Sequence, residues 1–183
     1  MAKTEVRIAG FGGQGVVLAG VLLGRAAVLY EQKQVVQTQS YGAESRGGAA
    51  RSEVIISDEP IIYPKVLNPD ILVTMSQAAL DKYVKDLRGG GTLIIDQDLV
   101  QTLPDRNDFR VYRSPFSEIA NKEIGKTLVA NMVMLGFMVS VTGIVSLDAL
   151  RESVRTGVPK GTEELNMKAV EVGIRMGELR VES

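Results

Sequence analysis

Glycines dominate the first stretch of the sequence in which residue types and spacing could support chemistry. Four of them fall within residues 10–15, directly after the apolar run 6–9 and before a second apolar run of helical length. Glycine permits positive φ and a close approach of backbone to a ligand. The N-terminus of the following helix offers unpaired N–H groups and a positive dipole end to an anion. We therefore predict a strand, a tight turn and a helix, with candidate ligand-binding residues Gly12, Gly13, Gln14 and Gly15.

The spacing of these glycines matches the dinucleotide-binding fingerprint, but the acidic residue that completes it is missing. That residue follows the second strand and holds the ribose. Here the second strand, 35–39, ends in Gln-Thr-Gln, and Glu31 precedes it. A P-loop is excluded because Val16 and Val17 follow Gly15 in place of lysine and serine or threonine. A turn that only packs helix against sheet, and a cradle for another phosphate or for a partner's backbone, stay open.

A second candidate stretch, residues 41–48, sets a tyrosine, an acid and a base among small residues. Glu44 and Arg46 are one residue apart, and two glycines follow. An arginine can bind phosphate or carboxylate through a two-pronged contact, or it can pair with Glu44. Because this loop and the glycine turn both follow strands, we expect them to meet at the carboxyl edge of the sheet. The loop adds these candidate binding residues: Tyr41, Gly42, Glu44, Arg46 and Gly47.

Three further polar or glycine-rich features each allow a structural interpretation. Asp96 and Asp98 stand at a strand end, where a Mg²⁺ ligand pair can occur, but without more clustered carboxylates a solvated turn is favoured. Asn131, near the start of an apolar helix, is either a hydrogen-bonded core residue or a site residue. The glycines at 89–91 are most simply a helix stop.

Composition excludes much of the usual catalytic equipment. The 183 residues contain no cysteine and no histidine. The chain therefore supplies no thiolate ligand to an iron–sulfur cluster, no usual zinc ligand set, no histidine base and no cysteine nucleophile. We predict no catalytic residue and no metal site in this chain. The absence of disulfides suits a cytoplasmic protein.

Charge and hydropathy limit the classes of partner and indicate the number of domains. Lys and Arg number 21 against 22 Asp and Glu, a net charge of −1, which gives no electrostatic case for nucleic acid or an anionic membrane surface. The most apolar stretch, 128–145, contains polar residues, so a buried helix is favoured over a membrane span. With 45% hydrophobic residues, residues 1–183 are expected to form a single domain.

The hydrophobic pattern predicts a three-layer α/β/α domain with a mixed, mostly parallel sheet and a Rossmann-like first βα unit. The third strand follows the second without room for a crossover helix, so these two are expected to be antiparallel. Serines at 76 and 146 are expected to cap helices. Strands are predicted at 6–9, 35–39, 51–57, 71–74, 92–96 and 109–114, with a short edge piece at 61–64. Helices are predicted at 16–30, after 76, and at 117–123, 127–141, 147–155 and from 162.

Two motifs together resemble the gamma subunit of 2-oxoacid:ferredoxin oxidoreductases. They are Gly-Phe-Gly-Gly-Gln-Gly at 10–15 and Tyr-Gly-Ala-Glu-Ser-Arg-Gly-Gly at 41–48, followed by Arg-Ser-Glu-Val at 51–54. Residues 68–70 and 130–132 extend the resemblance over nearly the whole chain. The family often has proline where this chain has Ala43, a difference that affects loop stiffness.

The resemblance implies an enzyme that makes acyl-coenzyme A and CO₂ from a 2-oxoacid and reduces ferredoxin. The 2-oxoglutarate branch fits best, with the pyruvate and ketoisovalerate branches behind it. Thiamine diphosphate, Mg²⁺ and iron–sulfur clusters would lie in partner alpha, beta and delta subunits, and this chain would be inactive alone. It would contribute to coenzyme A binding, to assembly, or to both, and would self-associate when isolated. The alternatives are an indolepyruvate oxidoreductase beta-type subunit and a free-standing nucleotide-binding module.

Overall fold

The computed structural model describes residues 3–41 and 49–181, and its strands form a six-stranded sheet. Two of its parallel strands, Ile71–Thr74 and Thr92–Asp96, are largely apolar runs that are buried on both faces. Both of these strands have the bounds that the sequence predicts. The strands are β1 (Lys3–Phe11), β2 (Gln34–Tyr41), β3 (Ala49–Ser57), β4 (Ile71–Thr74), β5 (Thr92–Asp96) and β6 (Arg110–Ser114). Their order across the sheet is β2-β3-β1-β4-β5-β6.

The sheet is mixed because β3 runs against both of its neighbours. It pairs antiparallel with β2 and with β1, whereas β1, β4, β5 and β6 are parallel to one another. The predicted antiparallel arrangement of the second and third strands is confirmed. The predicted edge piece at 61–64 is wrong, since these residues form no strand. Pro60 and Pro64 bracket it, and proline cannot donate to a strand ladder.

The helices follow the predicted order, with several tightened or widened turns at their ends. Ser76 and Ser146 cap the helices that follow them, as predicted, and each hydroxyl accepts from the backbone N–H three residues on at 3.2 Å. The α-helices are α1 (Val16–Arg25), α2 (Gln77–Tyr83), α3 (Phe116–Ile119), α4 (Ala130–Thr142), α5 (Leu147–Gly157) and α6 (Glu163–Val181). A π turn, Ala26–Tyr30, extends α1 and another, Ala120–Ile124, extends α3; 3₁₀ turns at Val84–Asp86 and Thr127–Val129 follow α2 and precede α4.

Alternate residues of the strands feed two apolar clusters, one on each face of the sheet. Ile8 and Val73 face α1 and α4, whereas Ala9 and Leu72 face α2. All ten residues 130–139 of α4 are buried, so this helix lies between the sheet and the outer helices. No helix in the described ranges is long and apolar enough to cross a membrane.

Helices α4 and α6 approach each other closely through glycines. A Cβ atom added to Gly136 would lie 2.2 Å from the carbonyl oxygen of Val170. One added to Gly173 would lie 2.0 Å from the carbonyl oxygen of Val133. Both distances are far below van der Waals contact, so the absence of side chains at these two positions permits the spacing of the helices.

A buried arginine of β1, on the α2 face of the sheet, connects this strand to β3 and to the segments that contain Val66 and Asp86. Arg7 Nε donates to Glu53 Oε1 at 2.7 Å and Nη1 to Asp86 Oδ2 at 2.6 Å. Its Nη2 donates to the carbonyl oxygen of Val66 at 3.0 Å, and its guanidinium lies 5.1 Å from the ring centroid of Tyr83. Each nitrogen of this buried cation therefore has an acceptor, as a buried charge requires.

Candidate functional site

The glycine turn connects β1 to α1 at the carboxyl edge of the sheet. The backbone N–H of Gln14 closes the turn on the carbonyl oxygen of Phe11 at 3.2 Å. Gly13 and Gly15 have φ angles of 93° and 72°, in the left-handed region that disfavours other residues. The predicted strand, turn and helix are confirmed, and two of the glycines are required by backbone conformation alone.

The side chain of Gln14 braces this turn from within. Its Oε1 accepts from the backbone N–H of Phe11 at 2.6 Å, and its Nε2 donates to the carbonyl oxygen of Met75 at 2.8 Å. The amide thus ties the turn to the segment that leaves β4. Both polar atoms of the Gln14 side chain are used inside the chain, a bracing role that the sequence pattern does not reveal.

Asn131 holds the turn through a further hydrogen bond. It is 5% exposed, and its Nδ2 donates to the carbonyl oxygen of Gly15 at 3.1 Å. The two interpretations of this residue therefore merge, since it is a buried, hydrogen-bonded polar group that contacts the candidate site. Because 116 residues separate the two partners, no local sequence signal could have paired them.

The N-terminus of α1 points out of this turn without a side-chain cap. Gly15 is the N-cap residue, in the left-handed conformation, and makes no side-chain hydrogen bond. The first N–H groups of a helix have no acceptor within the helix, and its dipole places partial positive charge there. Because the glycine at this position has no side chain to cap them, those donors suit an anionic ligand.

The loop that carries the other candidate residues leaves and re-enters the sheet at the same edge. The backbone of Ala49 pairs with Phe11, and Ala50 lies between Tyr41 and Gly10. The two ends of the loop are therefore level with the start of the glycine turn. The candidates Gly42, Glu44, Arg46 and Gly47 lie outside the described residues, as does the side chain of Tyr41.

A cleft of about 310 Å³ opens beside the glycine turn. Its wall is largely apolar, and two apolar side chains near it remain open to solvent, Leu128 at 75% and Leu99 at 36% exposure. The cleft is lined by Gly13, Gln14, Met75, Leu99, Ser117, Thr127, Leu128 and Ala130. The edge thus combines uncapped backbone donors with an apolar trough, a combination that suits a ligand with anionic and apolar parts.

Asp96 is buried rather than solvated, which corrects the favoured sequence interpretation. Its Oδ2 accepts from the hydroxyl of Ser117 at 2.6 Å and from the backbone N–H of Ser117 at 3.2 Å. Its Oδ1 accepts from the N–H of Asp98 at 3.1 Å, while Asp98 Oδ2 accepts from the N–H of Glu118 at 2.8 Å. The two carboxylates hold the start of α3 beside the cleft.

We expect the ionisation of Asp96 to make stability depend on pH. Burial raises its pKa, against the lowering effect of the Ser117 hydrogen bond. The folded-state pKa of Asp96 therefore lies above its unfolded value of about 3.9. Protonation of Asp96 stabilises the fold fully below that unfolded value, and this stabilisation is lost as pH rises through the folded-state pKa. Urea unfolding of Asp96→Asn at several pH values should lack this decline. Ser117→Ala should extend the decline to higher pH, and parallel profiles for wild type and Asp96→Asn would contradict the assignment.

The described residues contain no group of three or more histidine, cysteine, aspartate or glutamate residues arranged to hold a metal ion. Asp96 and Asp98 instead have backbone and hydroxyl donors as partners. Their geometry is that of a helix cap at α3.

Comparison with known proteins adds a family match over most of the chain. Residues 5–176 match the family model described as pyruvate ferredoxin/flavodoxin oxidoreductase. The chain is 54% identical to the 2-oxoglutarate synthase subunit KorC of Methanocaldococcus jannaschii, over 93% of this chain and 92% of that protein. It is 52% identical to the subunit of the same name from Methanothermobacter marburgensis, over 93% and 95%.

A solved structure agrees with the fold. The keto/oxoacid ferredoxin oxidoreductase gamma subunit from Geobacter sulfurreducens superposes with a TM-score of 0.85 at 44% identity. The superposition covers 95% of this chain and 98% of that one.

Proposed function

The chain belongs to the pyruvate ferredoxin/flavodoxin oxidoreductase family and is one subunit of a 2-oxoacid:ferredoxin oxidoreductase, and from that premise we propose its substrate and its role. The proposed substrate is 2-oxoglutarate, which the enzyme converts with coenzyme A to succinyl-coenzyme A and CO₂ while ferredoxin takes up the electrons. Two relatives that share more than half of their aligned residues with this chain carry the name 2-oxoglutarate synthase subunit, which supports this choice.

We assign the redox cofactors to partner subunits. Thiamine diphosphate, Mg²⁺ and iron–sulfur clusters belong to the alpha, beta and delta chains of the same cytoplasmic complex in this proposal. The composition supports it, because a chain without cysteine or histidine offers a cluster no thiolate or imidazole ligand. This subunit then acts through binding and positioning.

The uncapped glycine turn is the observation that carries a role in coenzyme A binding. Coenzyme A has anionic phosphates at one end and a long, weakly polar arm. The N–H groups at the start of α1 suit the phosphates, and the apolar cleft beside Gly13 suits the arm. Gly12, Gly13 and Gly15 bind through backbone, whereas Gln14 holds the turn in shape.

Two charged residues of the loop, Glu44 and Arg46, belong to the proposed binding site. Arg46 would place a guanidinium against a phosphate at the edge where the loop ends meet the glycine turn. Glu44 would orient that guanidinium, and the backbone at Tyr41, Gly42 and Gly47 would shape the approach. The residue types of Glu44 and Arg46 and the position of the loop ends support these two roles.

A second candidate role is assembly, and the exposure of Leu128 favours it. Leu128 and Leu99, 75% and 36% exposed, both line the apolar cleft, and an exposed apolar patch is a common feature of a surface that a partner chain covers. In this alternative the same turn and loop contact the catalytic subunits and touch no coenzyme.

Arg46→Ala in the assembled complex separates the two roles. We expect the KM for coenzyme A to rise roughly 10-fold or more, since a charge-assisted hydrogen bond contributes about 1.5–3 kcal/mol, while the complex stays intact by gel filtration. Steady-state reduction of ferredoxin with 2-oxoglutarate measures this, and pyruvate in its place tests the substrate. Arg110→Ala, at an exposed arginine on β6, is the matched control. An unchanged KM with weakened assembly would establish the assembly role instead.

A further inference from the structure

The two edge strands of the sheet differ sharply in how they are protected from pairing with other strands. The five-residue β6 carries Arg110 and Arg113. The eight-residue β2 carries no charged residue and no proline. Its pairing with β3 runs one residue against one residue, from Gln34 opposite Ser57 to Tyr41 opposite Ala50, without a bulge. Charge, proline, bulges and short length are the usual devices that keep an edge from pairing, and β2 has none of them.

An open edge of this kind exposes a row of unpaired backbone groups. Within the described ranges β2 is the last strand of the sheet and has β3 as its sole strand neighbour. Gln34, Thr38 and Gln39 have exposed side chains, while α1 packs against the strand and Val35 contacts the core. Antiparallel addition of another strand would satisfy the remaining donors and acceptors.

We propose that the occupant of this edge is the β2 strand of a second copy of the chain, which joins two six-stranded sheets across a two-fold axis. In antiparallel pairing the residues opposite each other share a face, so a two-fold axis must place one residue opposite its own copy. Any charge near that centre would face a like charge, which destabilises strand pairs. The absence of charge along β2 makes the strand compatible with its own copy.

Exposed apolar side chains beside β2 also favour a second copy of the chain as the partner. Val28, Leu29 and Tyr30 are 44%, 55% and 39% exposed, and they lie in the π turn that precedes β2 and contacts it. A two-fold axis at β2 brings the two copies of this turn to the same joint face. Pairing of β2 with β6 would instead be head-to-tail and would leave free edges for further addition, whereas β2 with β2 closes after two copies.

The strand length fixes where the axis passes. Overlap between β2 and its copy is greatest when Gln37 or Thr38 is the residue that faces itself. Residues directly opposite in an antiparallel pair have Cα atoms about 4.5–5.5 Å apart, within the range that a disulfide spans. The chain has no cysteine, so one introduced cysteine is a unique reporter.

Single cysteines in the full chain test the pairing and its register. Under mild oxidation Gln37→Cys or Thr38→Cys should form a disulfide-linked dimer in high yield, whereas Val36→Cys should not. Val111→Cys on β6, where Val111 is 40% exposed, is the control for random collision. Equal crosslinking at 36 or 111, or none at 37 and 38, would overturn the proposal.

Sedimentation velocity across a dilution series gives an independent test. The wild-type chain should sediment as a dimer, and Thr38→Lys should halve the apparent mass because it places like charges at or beside the axis. Circular dichroism verifies that the variant is folded, and Val111→Lys should leave the dimer intact. A wild-type chain that is monomeric throughout would rule out the second copy as the occupant.

Discussion

Replacing Gly173 with alanine is expected to destabilise the fold by about 3 kcal/mol, near the upper end for an overpacked core. The new Cβ would lie 2.0 Å from the carbonyl oxygen of Val133 and 2.8 Å from the backbone nitrogen of Phe137. Both are backbone atoms of α4, so no side-chain rotation can relieve the contact and the two helices must move apart. Chemical denaturation of the purified chain measures the loss.

The sign of this effect is informative because helix propensity opposes it. Alanine is favoured over glycine inside a helix by about 1 kcal/mol, so Gly173→Ala would stabilise α6 if nothing were packed against it. Glu178→Ala, at an exposed position of the same helix, is the control and should change stability little. An increase in stability for Gly173→Ala would show that α4 and α6 are not in close contact.

Gly15→Ala is expected to have the largest functional effect of any single change in the described part of the site. A non-glycine residue in the left-handed region costs roughly 1–2 kcal/mol. The added Cβ would also lie 2.2 Å from Asn131 Nδ2 and 2.8 Å from its Cγ. In the assembled complex we expect the affinity for coenzyme A to fall by roughly 30-fold or more, equivalent to about 2 kcal/mol, as the turn loses its shape.

A double-variant cycle separates the two causes of that loss. Asn131→Ala removes the clashing side chain, so the pair Gly15→Ala and Asn131→Ala should lose less than the sum of the single variants. Gly143→Ala gives the conformational cost alone, as a loss in the free energy of unfolding. Gly143 has a φ of 61°, and no atom lies within 4 Å of an added Cβ. Additive losses in the cycle would mean that Asn131 does not constrain the turn.

The elements that the sequence predicts well are those that local pattern determines. Short, largely apolar runs between turn residues define β4 and β5 to the residue, and serine caps locate the starts of α2 and α5. The glycine turn is likewise predictable, since positive φ at Gly13 and Gly15 is a local requirement. In these cases the information lies within a few neighbouring residues.

The features that escaped prediction depend on partners distant in the chain. Asp96 was expected in a solvated turn, and its burial depends on Ser117 arriving from beyond β6. The brace from Gln14 to Met75 spans 61 residues. Edge strands are ambiguous for a related reason, since an apolar run such as 61–64 does not reveal whether a neighbour will offer it hydrogen bonds.

The arrangement of α4 and α6 has a consequence for synthesis of the chain on the ribosome. The most deeply buried helix, α4, is synthesised before α6, which covers its outer side. Until α6 emerges, a long apolar surface on α4 is therefore uncovered. Folding of the nascent chain must therefore stay incomplete until α6 is available. Chaperone binding is expected to concentrate on ribosome-bound chains that have passed α4 and lack α6.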